Sequence, residues 1–307
     1  MNHLRVIKDR TLGELVFECP HGIHVGSGTA LFTKDIIRIK DNYVVIPMTS
    51  WKGIFRSLST RLLNTIKKKY DKVTQLIIDR QLYNENERKL NITTADIIDL
   101  VESIGNREIK EKLLDLAGRN NDLRAKIKDN DLVNLIKNPD VETRNNVISL
   151  LTRYLSMSFP LTSLYGAEGL AGKLRFLDTF FYADLHIKTS VSIDRKTNKS
   201  LEGRLFNIVI AYPKDDIIKL RILIDNIRNG SDAEKQLIKS TLQYVKAQGI
   251  HIGGEKSRGI GYLKMIPEHT SFKTLQIENN KETLEKIAKP TTWPHKTIDE
   301  FLEWIGV

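Results

Sequence analysis

Residues 231–266 read SDAEKQLIKSTLQYVKAQGIHIGGEKSRGIGYLKMI, and the first half of this stretch has the signals of an amphipathic helix. Ser231 is a typical N-cap residue, and Glu234 follows it at the spacing of a capping box. Apolar residues then recur at helical intervals across 237–245, and Gly249 is a typical stop signal. The stretch therefore predicts one capped helix that ends at Gly249.

Strand-like runs surround this helix. Two of them, 250–252 and 261–266, follow it on either side of a glycine-rich loop, and a third, 205–212, precedes it. An earlier run, 14–19, leads in the same way to a helix that begins at Ser50. Two such β-α units predict an α+β fold with a ferredoxin-like or RRM-like sheet, which is a common platform for single-stranded RNA.

Residues 66–155 interrupt the strand-rich parts with apolar residues at helical spacing. The stretch contains only three aromatic residues, two glycines and one proline. It is therefore predicted to be a helical insertion between the strand-rich stretches 1–65 and 156–307.

The chain is strongly basic, with 48 lysine and arginine residues, 38 aspartate and glutamate residues, and a net charge of +10. The helical stretch holds 17 basic and 15 acidic residues, so a net charge of +8 lies on the strand-rich parts. Such a surplus favours an anionic partner that binds those parts.

Several classes of protein are excluded by composition. One cysteine, Cys19, is too few for an internal disulfide framework or a multi-cysteine zinc site. The first residues show no apolar signal region, and no apolar run is long enough to cross a bilayer. We therefore expect a cytoplasmic protein without a membrane partner.

Residues 46–56 read IPMTSWKGIFR and predict the start of a basic helix. Thr49 or Ser50 can cap this helix, which leaves its first backbone N–H groups facing an anion. Lys52 and Arg56 are four residues apart and share one helical face. The opposite, apolar face is predicted to carry Ile54, Leu58 and Leu62. The motif indicates either a phosphate site or an ordinary capped helix with a solvated basic face.

A second candidate phosphate site is the stretch 249–262, which holds five glycines around Lys256 and Arg258. Glycines let backbone amides approach a phosphate chain while the cations neutralise it. The alternative is a long hairpin with glycine turns.

The polar, basic segment 190–200 similarly indicates either a projecting hairpin or a plain solvent-exposed turn.

Residues 166–174 read GAEGLAGKL and are similar to a nucleotide-binding P-loop. The first glycine stands one residue too early, and Leu174 replaces the Ser or Thr whose hydroxyl binds magnesium. Nucleotide hydrolysis is therefore not expected.

Six segments, in order along the chain, resemble the RAMP superfamily of CRISPR-associated proteins, and most closely the backbone subunits of type III (Csm/Cmr) effector complexes. They are the His-Val-Gly loop at 24–28, Asp35 before a strand, the helix start at 46–56, the segment 164–178, the Ile-Asp-Arg-Lys-Thr segment at 193–197 and the glycine-rich segment 253–261. Met48 and Trp51 depart from the family's usual glycine and leucine.

The resemblance implies a domain organisation and a set of partners. The RRM-like palm would comprise 1–65 and 156–268, with a helical lid at 66–155, a projecting thumb hairpin near 186–205 and a C-terminal extension at 269–307. Subunits of this kind stack along a guide RNA. The implied partners are guide RNA, complementary target RNA and other CRISPR effector subunits, including copies or paralogues of this chain.

The resemblance also implies RNA-binding side chains in three segments. They are Ser50, Lys52 and Arg56 in the helix start, Lys256, Ser257 and Arg258 in the glycine-rich loop, and Arg195 and Lys196 in the thumb.

Asp35 occupies the place of the aspartate that supports metal-dependent cutting of target RNA in cleaving relatives, with His24 nearby. A carboxylate suits Mg²⁺ or another divalent cation, which takes hard oxygen ligands. The alternative interpretation is that Asp35 is an ordinary turn residue at the start of a strand.

Three alternatives to a cleaving subunit stay open. Some family members are non-catalytic scaffolds. A guide-processing ribonuclease would use His24 as a general base without metal. The third alternative is a free RNA-binding module. Such modules stack bases on aromatic side chains, and aromatic residues make up only 7% of this chain.

Overall fold

The computed structural model describes residues 6–27, 33–65, 70–118, 120–193, 200–277 and 285–306, with only the backbone described at 191–193 and 200–206. The chain divides into two compact units. The helical unit is formed mainly by Ser59–Lys173 and Gly230–Leu237, and the sheet unit by Ile7–Leu58, Leu174–Asn229 and Ile238–Val307.

The described strands are, in chain order, β1 (Asp9–Glu18), β2 (Thr33–Lys34), β3 (Arg38–Lys40), β4 (Tyr43–Ile46), β5 (Tyr83–Asn84), β6 (Lys89–Leu90), β7 (Leu174–Phe176), β8 (Thr179–Ile193), β9 (Ser200–Pro213), β10 (Ile217–Asp225), β11 (Ile250–His251), β12 (Tyr262–Met265), β13 (Ser271–Gln276) and β14 (His295–Thr297). The α-helices with both ends described are α1 (Met48–Thr65), α2 (Lys72–Asp79), α3 (Thr94–Ile104), α4 (Asn106–Leu116), α5 (Asn121–Asp129), α6 (Leu132–Ile136), α7 (Val141–Ser158), α8 (Pro160–Tyr165), α9 (Asp232–Gln248) and α10 (Ile298–Ile305). Within the described ranges, no helix combines the length and the apolar composition that crossing a membrane requires.

The first sheet of the sheet unit is antiparallel and centred on β1. β10 pairs along one side of β1, while β13 and then β12 pair along its other side. β7, β11 and β14 extend the sheet beyond β10, β12 and β13, respectively. Because β13 pairs directly with β1 and β14 pairs with β13, the segment predicted as a C-terminal extension, 269–307, contributes two strands to this sheet.

The second sheet has the strand order β2-β9-β8-β4-β3. β2 and β9 run parallel, and the other pairs are antiparallel. β8 and β9 form a long hairpin, and the predicted thumb near 186–205 falls on its outer part. The tip of the hairpin, 194–199, lies outside the described residues.

One face of the first sheet carries the core of the sheet unit. The alternating β10 residues Ile218, Leu220, Ile222 and Ile224 are all buried, as the two-residue period of a strand requires. Trp51 and Phe55 of α1 lie near the rings of Phe17 and Phe176, with centroid distances of 6.0 and 5.1 Å. These aromatic contacts hold the first turns of α1 in the sheet unit.

The helical unit contains α2–α8 and a short hairpin of β5 and β6. Side chains of Asp71, Thr93, Asn120, Asp131 and Asp140 each accept a backbone N–H at a helix start, which explains where the helices begin. The stretch 66–155 is therefore helical in most of its described residues. Its role as a lid stays a prediction.

The capping box at Ser231 is confirmed. The Ser231 backbone N–H donates to Glu234 Oε2 at 2.8 Å, and the Glu234 N–H donates to Ser231 Oγ at 3.2 Å. α9 ends before Gly249, which has a φ of +68°. The prediction that 205–212 leads into this helix is wrong, because β10 intervenes, and β4 leads into α1 in place of β1. The β-α units are β4–α1 and β10–α9, and the predicted α+β class is confirmed.

Candidate nucleic-acid interface

Two of the predicted motifs, the loop at His24 and the glycine-rich stretch after β11, meet in the sheet unit. The backbone N–H of Gly254 donates to the His24 carbonyl oxygen at 2.8 Å. A Cβ atom on Gly253, which has a φ of +80°, would lie only 2.1 Å from the same oxygen. Position 253 therefore requires glycine, and the two motifs form one site.

The His24 side chain is held below the surface, with only 4% of the residue exposed. Its Nδ1 lies 2.8 Å from the Val209 carbonyl oxygen. Because a carbonyl only accepts, Nδ1 is the donor in this hydrogen bond. A Cβ atom on Gly26 would lie 3.3 Å from Nε2, and one on Gly254 would lie 3.3 Å from Cδ2. The two glycines therefore leave room for the imidazole ring.

Asp35 is joined to the same loop by backbone pairing. Its carbonyl oxygen accepts the Ser27 N–H at 3.0 Å, and Gly26 forms a bridge with Ile36. The carboxylate accepts the Ile36 N–H at 2.8 Å and pairs with the Arg38 guanidinium at 2.9 Å. The Asp35 side chain is 35% exposed. Asp35 is thus both the turn residue that precedes β3 and a carboxylate accessible to a ligand.

The residues around Asp35 do not form a complete metal site. Among the described residues, no group of three or more His, Cys, Asp or Glu side chains could hold a metal ion. Asp35 would therefore supply a divalent cation with one oxygen ligand, and the remaining ligands would have to come from outside these side chains.

Glu255 links the glycine-rich loop to the segment before Asp35. Its carboxylate accepts from Lys34 Nζ at 2.9 Å and from Arg258 Nη1 at 2.6 Å. The Lys34 hydrogen bond is the main cause that holds the pKa of Glu255 below its ordinary value. Glu255 adopts a left-handed backbone with a φ of +57°. This pairing fixes two cations at neighbouring positions of the site.

The residues after Glu255 present polar groups to solvent. Lys256, Ser257 and Arg258 form a 3-10 turn, and Gly259 follows with a φ of +78°. All three side chains are exposed. The turn therefore offers two cations and a hydroxyl to an anionic ligand.

The start of α1 already holds an anionic group. The backbone N–H of Met48 donates to the Asp178 carboxylate at 2.6 Å. Trp51 is fully buried and donates its Nε1–H to Thr179 Oγ1 at 3.1 Å. The motifs at 46–56 and 164–178 are therefore in contact through Asp178. Ser50 and Lys52 are half-buried beside this contact.

Arg56 does not lie on a solvated face. It is only 6% exposed, so the alternative of a solvated basic face does not hold at Arg56. The core-facing side chains of this helix start are Trp51, Phe55 and Leu58, whereas Ile54 and Leu62 are only half-buried. The large Trp51 and Phe55 rings occupy the core, and this rotation of the helix buries Arg56 as well. A contact between Arg56 and RNA stays a prediction.

The sequence also singled out the P-loop-like segment at 166–174 and two thumb residues. In the P-loop-like segment, Lys173 forms an ion pair with the buried Glu234 at 2.7 Å, and β7 follows where a P-loop continues as a helix. The thumb residues Arg195 and Lys196 lie outside the described residues.

Sequence reasoning missed four charged residues of this region: Lys34, Arg38, Asp178 and Glu255. The last two stand inside segments that the sequence singled out, but only the folded chain shows their hydrogen-bond partners. Cys19, in contrast, is a core residue, and burial raises the pKa of its thiol to about 12.

A cationic, glycine-rich turn on an α+β sheet unit is a feature of nucleic-acid-binding proteins. The model of the RAMP superfamily matches residues 16–264, which is more than half of the chain, and the chain belongs to this superfamily. It is accordingly a CRISPR-associated, RNA-binding protein. None of the curated proteins matches the chain.

Proposed function

We propose that this chain is a guide-RNA-binding backbone subunit of a type III CRISPR effector complex and that Asp35 supports metal-dependent cleavage of target RNA. The observation that carries the proposal is the contact between the His24 loop and the glycine-rich loop. Through Glu255, this contact groups Lys34, Arg258 and the neighbouring Asp35 in one region of the sheet unit.

The side chains proposed to bind guide phosphates act without reading sequence. Lys52, Lys256 and Arg258 would neutralise phosphates, and Ser50 and Ser257 would donate hydroxyl hydrogens to them. Arg56, Arg195 and Lys196 complete the proposed set. A divalent cation held by Asp35 and phosphate oxygens would supply an activated water and stabilise the leaving oxygen.

The cleavage proposal is tested with a reconstituted complex that carries wild-type or Asp35→Ala subunit. We expect Asp35→Ala to abolish Mg²⁺-dependent cleavage of guide-paired RNA, while guide binding and assembly persist. Asp41→Ala is the matched control, because Asp41 is an exposed acidic turn residue nearby. Equal cleavage by wild type and Asp35→Ala would rule out the catalytic role.

A non-catalytic scaffold is the second candidate function. The ion pair between Asp35 and Arg38 favours it, because this pair already occupies one carboxylate oxygen. Complexes that assemble on guide RNA but never cleave target would support the scaffold. Cleavage that persists in EDTA and requires His24 would instead indicate a metal-independent guide-processing ribonuclease.

A further inference from the structure

Three aromatic rings form a group on one face of the second sheet, and we call this group the aromatic platform. Tyr43 of β4 lies directly opposite Tyr182 of β8, with ring centroids 4.8 Å apart. The ring of Phe180 lies 6.0 Å from that of Tyr43, at an angle of 18°. Phe180 and Tyr182 are two residues apart on one strand and therefore point to the same face.

The platform is exposed. Phe180 has 47% of its surface accessible, and Tyr182 has 62%. Trp51, Phe55 and Phe272 are buried in the core of the sheet unit, whereas neighbouring exposed rings such as those of the platform are typical of a binding surface.

Cations border the platform. It lines a groove of about 1020 Å³ together with Lys214, Lys219 and Arg221. Two acidic residues, Asp178 and Asp215, also line the groove, but the Asp178 carboxylate already accepts the Met48 N–H. Arg221 pairs with Glu14 at 3.3 Å, and its own side chain is 71% exposed. The groove therefore combines aromatic rings with three basic and two acidic side chains, a net charge of +1.

We propose that the aromatic platform stacks bases of single-stranded RNA while Lys214 and Lys219 contact the neighbouring phosphates. The inference rests on the proposed RNA-binding function and adds a base-stacking site whose residues differ from those of the glycine-rich loop. RRM domains show that aromatic rings on adjacent strands of a sheet can stack two or three bases. An apolar protein partner would be matched by the rings but not by the lysines, so charge complementarity favours RNA.

Abasic oligonucleotides separate stacking from phosphate contact, because they keep the backbone charge and lack bases. The full chain, wild type or Phe180→Ala/Tyr182→Ala, is titrated with labelled oligoadenylate and with an abasic oligomer of the same length. We expect the double variant to bind oligoadenylate roughly 10- to 100-fold more weakly, since each stacked base contributes about one order of magnitude. Binding of the abasic oligomer should be unchanged.

Two further variants serve as controls for this experiment. Phe180→Leu/Tyr182→Leu keeps apolar bulk without aromatic rings and should lose oligoadenylate affinity as well. Tyr244→Ala removes an exposed ring of α9 that does not line the groove, and this variant should bind like wild type. Wild-type affinity in both double variants would overturn the inference, and a loss of self-association with unchanged RNA affinity would assign the platform to a protein interface. If wild-type protein bound neither oligomer, the proposed RNA-binding function would fail first.

Discussion

At the scale of single residues, Glu255 links Lys34 to Arg258 in the region that is proposed to bind phosphate. We expect Glu255→Gln to weaken this connection, because an amide accepts weaker hydrogen bonds from Lys34 and Arg258 than a carboxylate does. The loss in unfolding free energy at neutral pH should be roughly 1–2 kcal/mol.

The pH dependence of stability is the diagnostic measurement for Glu255. The folded-state pKa of this carboxyl lies below its ordinary value of 4.5. Its stabilising contribution is therefore complete above pH 4.5 and is lost as the pH falls through the folded-state pKa. Urea unfolding between pH 7 and pH 3 should show wild type losing more stability than Glu255→Gln. Parallel pH profiles for the two proteins would contradict this role.

Residue types predicted that Lys256 and Arg258 lie in a glycine-rich loop, but they did not predict the orientation of α1. The apolar positions 51, 54, 55, 58 and 62 allow more than one core-facing stripe, so periodicity alone does not fix the helix rotation. The Trp51 indole fixes the rotation of the helix, because this side chain is fully buried and its N–H needs the acceptor that Thr179 supplies. A partner 128 residues away in the chain is not visible in a local pattern.

At the scale of secondary-structure elements, Asp178 acts as a distant cap of α1. Asp178→Ala should lower the unfolding free energy by about 0.5–2 kcal/mol, because it leaves the Met48 N–H without its carboxylate acceptor. Asp178→Asn keeps an oxygen acceptor and should lose less. Chemical denaturation of the three proteins measures this difference. Equal stability of wild type and Asp178→Ala would show that the cap contributes nothing.

The elements that the sequence predicted best are those with local signals. The α9 capping box needed only neighbouring residues. β10 was missed although Ile218, Leu220, Ile222 and Ile224 alternate with less buried positions, which is the pattern of a half-buried strand. The contact between the His24 loop and Gly253–Gly254 had no local signal, since it depends on pairing across the sheet unit.

At the scale of the whole molecule, the uneven charge predicts where RNA binds. The stretch 66–155 carries a net charge of +2, and the rest of the chain carries +8. Recognition that is mainly electrostatic releases counterions, so affinity falls with salt in proportion to the phosphates neutralised. The strand-rich parts should therefore account for most of the salt dependence.

Matched lysine variants test this distribution of charge. Lys256 is an exposed cation of the glycine-rich turn, and Lys112 is an exposed cation of α4 in the helical unit. Removing a lysine that contacts a phosphate lowers the slope of log affinity against log salt by about one, whereas removing a remote lysine leaves the slope unchanged. We therefore expect Lys256→Ala to flatten the slope for single-stranded RNA of any sequence and Lys112→Ala to retain the wild-type slope. Binding measured over a series of salt concentrations gives the slopes directly. A flatter slope for Lys112→Ala than for Lys256→Ala would move the RNA path to the helical unit.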